Sequence, residues 1–492
     1  MFKKTKYRAL FKEETMKKNM YFILAIILFS SLWIIPSSSN AIKGDFNSDG
    51  SIDINDAIFG LQVLAGMRND PPKETYTMIN LGDSLTNGTQ SGNRNVHEPT
   101  QKNGFVQLVA NQMQSSIFLN WSNPYLKKNA DGSKARINPD EIPYNLGVDS
   151  ATIKELMSGR TDDLLNLLVS PIPDLKKAPV SQLEAAIYVA GKRPETEKKI
   201  ITLWVGNNDV LWSVINGYGS QITENNINAY LNDTAAEHDL ESIKANLTEV
   251  VNQLKAIPNS HIFIGTLPYM TGPAFFFSKD DIERLAQFQN PNITALKEGE
   301  SIGFGPFLEL AKVGSFKVDS NTANAAIGTL TDTHILSPNE IKIVDDQIKE
   351  INAHINTLKE EGKVTIVNTF EVFQSIYDNS VEINGHKIYK TFGCGGFSFD
   401  AFHPSNTLHA LIANEFIEKI NESLGLSIPS VDVGAVFEND PYQDRDGDHF
   451  APGPGADIIG ADLFPLGLYD CDDTNADIVA PFISGDPCQG KK

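Results

Sequence analysis

Four apolar runs set the architecture: Tyr76–Leu81, Ile200–Val205, His261–Leu267 and Val364–Asn368. Each is short and gives way to a polar turn. Runs of this kind read as strands buried on both faces. Amphipathic stretches with helical spacing separate and follow them, at Phe105–Met113, Asp239–Ala256, Asn339–Glu361 and Leu408–Leu424. Pro404-Ser405-Asn406 supplies a start signal for the last. Strands that alternate with helices predict an α/β domain over residues 73–428, a parallel sheet with helices on both faces. Two long stretches interrupt it. Residues 120–143 are expected as a surface loop. Residues 280–330, with aromatics and glycines, are expected to cover a site. The neighbouring run Phe275-Phe276-Phe277 fits buried packing better than an acyl pocket.

A parallel sheet places its sites where strands end. After the first run comes Gly82-Asp83-Ser84-Leu85. Serine is a poor nucleophile unless a base, usually a histidine held by a carboxylate, lies within hydrogen-bond reach. It also needs donors for the oxyanion that forms on the substrate carbonyl. Three other places offer these parts. Trp204-Val205-Gly206-Asn207-Asn208-Asp209 is a strand running into a turn with asparagine amides. Asn145-Leu146-Gly147-Val148-Asp149-Ser150-Ala151 offers free backbone N–H groups. Asp400-Ala401-Phe402-His403-Pro404 puts a carboxylate three residues before a histidine, just ahead of a helix. Each is ordinary alone. Their joint presence, in order and at element ends, is specific.

These residues resemble a known family. Gly82-Asp83-Ser84-Leu85 is similar to the block that names the GDSL, or SGNH, hydrolases. Gly206-Asn207-Asn208-Asp209 resembles the family's Gly-x-Asn-Asp block, and Asp400-Ala401-Phe402-His403 its Asp-x-x-His block. The resemblance covers most of residues 75–428. It implies a flavodoxin-like sheet and ester hydrolysis without a catalytic cofactor. By position it makes Ser84 the nucleophile, His403 the base and Asp400 its orienter. The Ser84 N–H and the Asn208 side chain become oxyanion donors. One block departs from the pattern. Where the family runs Asn, four residues, then Gly, the count from Asn145 lands on Ser150. Ser150 still has a backbone N–H; Gly147 is the alternative donor. A rival, Gly299-Glu300-Ser301-Ile302-Gly303, fits another nucleophile turn. That turn needs a buried strand before it, and Thr294–Glu298 reads TALKE.

At 492 residues the chain is long for one domain. Its first 41 residues read as a signal peptide: Lys17 and Lys18, the apolar stretch Met20–Ile35, then Ser39-Asn40-Ala41. Export to the periplasm, cell surface or exterior is the expectation. The net charge of −21 repels phosphate backbones, which argues against a nucleic-acid partner. It suits divalent cations. Residues 45–56 read DFNSDGSIDIND, with oxygen ligands at calcium-loop spacing: Asp45, Asn47, Asp49, the Ser51 carbonyl, Asp53 through water, and Asp56. Residues 42–70 thus form a small calcium module that resembles one repeat of a dockerin. A dockerin has two repeats and binds a cohesin; with a single repeat, structural calcium is expected rather than a cohesin partner. The tail, 429–492, is rich in Asp, Gly and Pro. Asp444, Asp446 and Asp448, followed by the acidic run 470–477, are similar to a metal-binding repeat of secreted bacterial proteins. Of the three cysteines, Cys471 and Cys488 are the expected pair, leaving Cys394.

The sequence therefore points to an exported serine esterase or lipase acting on a small-molecule or lipid ester. The apolar stretch 272–310 favours longer acyl chains. The alternatives are a carbohydrate acetylesterase and a non-catalytic adhesion or scaffold protein that keeps the fold.

Overall fold

The computed structural model describes residues 75–91, 98–129, 131, 133–159, 169, 172, 175, 180–215, 222–281, 297–303, 335–378, 380–391, 393–447, 451 and 473–474. The elements that build the domain are β1 (Thr75–Gly82), α1 (Ser84–Asn87), α2 (Phe105–Ser116), β2 (Phe118–Asn120), α3 (Ile153–Ser158), α4 (Gln182–Gly191) and β3 (Lys198–Trp204). They continue with α5 (Asn207–Ile215), α6 (Leu240–Lys255), β4 (Ser260–Gly265), α7 (Pro338–Thr357), β5 (Val364–Val367), α8 (Thr369–Asp378), α9 (Asn406–Leu424) and α10 (Val433–Glu438).

The five strands form one parallel sheet in the order β2-β1-β3-β4-β5. The central strands are buried almost end to end because helices cover the sheet on both sides. Winding reverses at β1, which lies between β2 and β3. That makes the carboxyl ends of β1 and β3 the topological switch point, where open α/β sheets bind ligands. The register runs from Tyr76 opposite Lys198 to Gly82 opposite Trp204. The two strands therefore stop side by side, and the turns after them share one edge.

Local chemistry explains the helix limits. Asp239 caps α6 by accepting the Ser242 N–H. Ser337 and Glu340 form a capping box on α7, with Pro338 in its first turn. Ser405 caps the start of α9, and Gly425 ends it in the left-handed region. Helix α2 packs on α9, and α6 packs on both α4 and α7. The rings of Phe105, Trp204 and Phe416 meet in the core: Phe105 stands edge-on to Trp204 at 5.4 Å and stacks on Phe416 at 5.0 Å.

Beyond β2, residues 144–148 run beside β1. Asn80 N–H donates to the Tyr144 carbonyl (2.9 Å), Leu146 N–H to Asn80 (2.9 Å) and Val148 N–H to Gly82 (3.1 Å). This carries the turn holding Ser150 to the end of β1. Two features differ from the expected pattern. Residues 120–143 contain an antiparallel ribbon, Leu126–Lys128 with Lys134–Arg136. Residues 429–447, given by composition to the tail, are built into the domain: α10 packs on α9, and Phe437 and Tyr442 are buried.

Candidate active site

Gly82 ends β1. A Cβ there would overlap the Thr86 side chain and the Trp204 carbonyl, so only glycine lets the chain fold back at once into α1. Asp83 caps that short helix, accepting the Leu85 N–H at 3.0 Å. Its other oxygen accepts from Asn207 Nδ2 at 2.8 Å, tying the turn after β1 to the turn after β3. Burial pushes the Asp83 carboxyl up to about 6, against the opposing pull of these bonds. Ser84 follows as the first residue of α1, 6 % exposed.

His403 Nε2 lies 2.9 Å from Ser84 Oγ, and Nδ1 lies 2.7 Å from Asp400 Oδ2. With its proton on Nδ1, the ring donates to Asp400 and accepts from the serine hydroxyl. The other Asp400 oxygen accepts from His403 N–H (2.8 Å), Phe402 N–H (3.0 Å) and Ser398 Oγ (3.1 Å). Burial opposes ionisation of Asp400 most strongly, yet the His403 charge and these bonds hold it at about 2. Burial also opposes the charged form of His403; the Asp400 charge and hydrogen bond outweigh it and raise the ring above its ordinary 6.5. His409, six residues on, is in the opposite state. Burial without a carboxylate drives it down to about 3, and its Nδ1 accepts the Phe105 N–H at 3.3 Å.

On the opposite flank, Asn208 is buried and donates through Nδ2 to the Ala151 carbonyl at 3.0 Å, leaving its second N–H for another acceptor. Ser150, one residue before Ala151, has φ 62°, in the region that favours glycine. The N–H groups around it are engaged: Gly147 with Asn145 Oδ1 (3.2 Å), Val148 with Gly82, and Ala151 with Val148. Among the described residues, Ser150 N–H is engaged in no such bond. Gly147 has another reason to be glycine. A Cβ there would sit 2.7 Å from the Asn87 nitrogen and 2.9 Å from Thr86.

A small cavity of about 20 Å³ opens beside Ser84, Asp83, Asn207 and Asn208. Pro268, Met270, Pro273, Phe373, Tyr377 and Phe402 form its apolar walls. Phe275 packs edge-on to Phe402 at 6.2 Å, while Phe276 and Phe277 are buried.

The structure thus brings Ser84, Asn208, Asp400 and His403 to one strand-end edge. Ser301 is not among them. It lies in a short antiparallel strand, Ser301–Gly303, rather than a strand-to-helix turn, and its buried Oγ has no hydrogen-bond partner among the described residues. Sequence reasoning missed three supports. Gln182, in α4, clamps the Gly82 backbone with two bonds of 2.9 Å, and nothing in its surroundings in the sequence signals this. Asp83 and Asp209 stand inside the quoted blocks, yet their types alone suggest only turn residues. Asp209 is fully buried, accepts the Ile153 N–H at 3.0 Å, and is pushed up to about 7 by burial.

The calcium-loop residues Asp45, Asn47, Asp49, Ser51, Asp53 and Asp56 lie outside the described residues, as do Asp448, Cys471, Cys488 and the first 41 residues. Cys394 is buried. In the tail, Asp444 and Asp446 meet Asp473, with one carboxylate oxygen of each within 4.8 Å of the others. The two acidic stretches of the sequence therefore converge, and Arg445 helps join them by donating its N–H to Asp473 at 2.8 Å.

A parallel five-stranded sheet flanked by helices, with a serine, a histidine and an aspartate hydrogen-bonded in series at its switch point, defines the class: an α/β fold of the flavodoxin-like, SGNH-hydrolase type. The chain belongs to the GDSL-like lipase/acylhydrolase family, whose model matches residues 78–416, and is a carboxylic ester hydrolase. Among solved structures it is similar to Axe2, an acetylxylan esterase from Geobacillus stearothermophilus. The identity is 12 %, the TM-score 0.32, and the match covers 71 % of this chain and 95 % of that one. A GDSL-like lipase candidate from Parabacteroides merdae matches at 12 % identity and TM-score 0.32, over 70 % of this chain and 96 % of that one. Family membership rests on the sequence match, not on these scores. No curated protein matches the chain.

Proposed function

We propose that the chain is an exported esterase that works by acyl transfer through Ser84. His403 takes the serine proton as Oγ attacks the ester carbonyl. Asp400 holds the ring in the tautomer that accepts this proton and stabilises the imidazolium that results. The N–H groups of Ser84 and Ser150 and the Asn208 side chain receive the oxyanion. His403 then gives its proton to the leaving alkoxide. A water, activated by the same ring, releases the acid and restores Ser84. The observation that carries this reading is the unbroken hydrogen-bond chain Asp400–His403–Ser84, with Asn208 facing the same cavity.

The test is an ester panel on the wild type, Ser84→Ala and Asn208→Ala, with phosphonate labelling of Ser84. Ser84→Ala should abolish turnover and labelling. Asn208→Ala should lose about 10²–10³ in kcat, as expected when one oxyanion donor is removed. Full activity in Ser84→Ala would overturn the proposal, and an unlabelled, inactive wild type would favour a scaffold protein.

A second reading, a carbohydrate acetylesterase, is favoured by the cavity beside Ser84. The cavity is narrow, about 20 Å³, which fits a short acyl group better than the longer acyl chains suggested by the sequence. Acetyl esters turned over faster than octanoyl esters would support this reading; the reverse order would remove it.

Export by the 1–41 segment and structural calcium in the 42–70 module and the tail belong to the same proposal. In the tail, the convergence of Asp444, Asp446 and Asp473 supports it. Added calcium should slow proteolysis at both ends, and no protection at either end would remove the metal from the proposal.

A further inference from the structure

Residues 440–443 lie beyond the family match, which ends at 416, yet they bear on the loop that carries Asp400 and His403. Asp440 is buried and accepts from the Thr407 N–H (2.7 Å) and hydroxyl (2.6 Å) in the first turn of α9, directly after that loop. Gln443 Nε2 donates to the Gly395 carbonyl and to Asp440 Oδ2, both at 2.8 Å. Gly395 has φ 88°, and a Cβ there would collide with the Gln443 side chain. The Tyr442 ring stands edge-on to Phe399 at 4.8 Å.

The Tyr442 hydroxyl is hydrogen-bonded to Ser91 Oγ at 2.9 Å. Ser91 lies in the loop that follows α1, where its N–H donates to Ser398 Oγ at 3.0 Å. That hydroxyl in turn donates to Asp400 Oδ1 at 3.1 Å. Every member of this chain except Asp400 is buried. Bonds in such surroundings fix geometry more firmly than the same bonds in water.

We infer that Asp440, Tyr442 and Gln443 form a strap that positions the Asp400–His403 loop, and that Ser398 is the positioning residue through which it reaches the carboxylate. The strap touches no reacting atom. It acts by holding Asp400 where the His403 ring stays aligned on Ser84. This rests on the proposed roles of Ser84, His403 and Asp400.

The experiment compares full-length wild type, Tyr442→Phe, Ser398→Ala, Ser398→Thr and Ser84→Ala, measuring kcat, KM and the pH midpoint of the rate. Thermal melts establish that each variant is folded. A hydrogen bond to a charged group accounts for about 1.5–3 kcal/mol, so Ser398→Ala should lower kcat by roughly ten- to a hundredfold. KM should stay near wild type, because no substrate contact is removed. Ser398→Thr keeps the hydroxyl and should restore most of the rate. Tyr442→Phe, one step further away, should lower kcat several-fold and move the pH midpoint. If Ser84→Ala is inactive while Ser398→Ala and Tyr442→Phe keep wild-type kcat and pH midpoint, the strap is refuted and the acyl-transfer reading stands. If Ser84→Ala is active, that reading falls and the strap with it. A raised KM at unchanged kcat would also overturn the strap, since it would place these residues in substrate binding.

Discussion

The chemistry proposed for this site depends on how a few groups hold their protons. As the proposed base, His403 must be neutral to act, and Asp400 raises its pKa above 6.5 despite burial. A raised histidine pKa adds stability below 6.5 that is lost as pH rises through the folded value. Activity runs the other way. The rate should rise with pH and level off only above a midpoint higher than 6.5. Asp400→Asn removes both the charge and the correct tautomer. Its midpoint should fall below that of wild type, and its kcat should drop by about 10³–10⁴. A flat wild-type rate from pH 5 to 8 would exclude His403 as the base.

Ser150 invites a second substitution. A left-handed backbone costs a non-glycine residue roughly 1–2 kcal/mol. Glycine returns part of that gain because its unfolded chain is freer. Ser150→Gly should therefore raise stability by up to about 1 kcal/mol and keep activity, since only a backbone N–H is proposed to act there. A large fall in kcat would show that the serine side chain contributes.

Most of the elements were legible in the sequence because burial on both faces leaves a continuous apolar run. The strands β1, β3, β4 and β5 and the four long helices lie within a few residues of where periodicity put them. The edge strand β2, Phe118-Leu119-Asn120, was not legible: it has three residues and a polar end, and pairs only with β1. Ser84, Asn208, Asp400 and His403 were legible as residue types at element ends. Gln182 was not, because a glutamine in a helix far along the chain looks like any other until the sheet brings Gly82 to it. Asp209 lies between these cases. It joins the start of α5 to the start of α3 through Ile153, and burial holds its carboxyl near 7 rather than 3.8. A carboxyl raised in this way favours the fold most below pH 3.8, and that contribution is lost as pH rises through about 7. Asp209→Asn keeps an acceptor for Ile153 without the buried charge. Its Tm should exceed that of wild type at pH 8, by at most roughly 4 kcal/mol in stability, and match it near pH 4. A variant less stable at both pH values would mean that the ionised form is what holds α3.

For the whole molecule, the question is where the catalytic domain ends. Composition changes after residue 428, but the packing does not. Asn421 binds the Ile428 backbone through its donor and its acceptor, each at 2.8 Å, and Asn414 does the same for Val431 at 3.0 and 2.7 Å. These asparagines on α9 lead the chain into α10, where Phe437 is buried, and on to Tyr442. Arg445 then donates to the Asp440 carbonyl at 2.8 Å, closing the turn. Burying a large apolar side chain contributes about 1.5–3 kcal/mol, and whole domains are stable by only about 5–15 kcal/mol. A chain stopped after Ile428 loses Val431, Phe437 and Tyr442 and leaves Thr407 N–H without Asp440. It should unfold at much lower temperature or without a cooperative transition, and hydrolyse esters weakly. A chain stopped after Gly447 keeps every one of these contacts and should retain most of the wild-type rate. Melting curves and ester hydrolysis on the two truncations decide the matter. Equal Tm and equal rate for both would place the end of the domain at 428, where composition alone puts it.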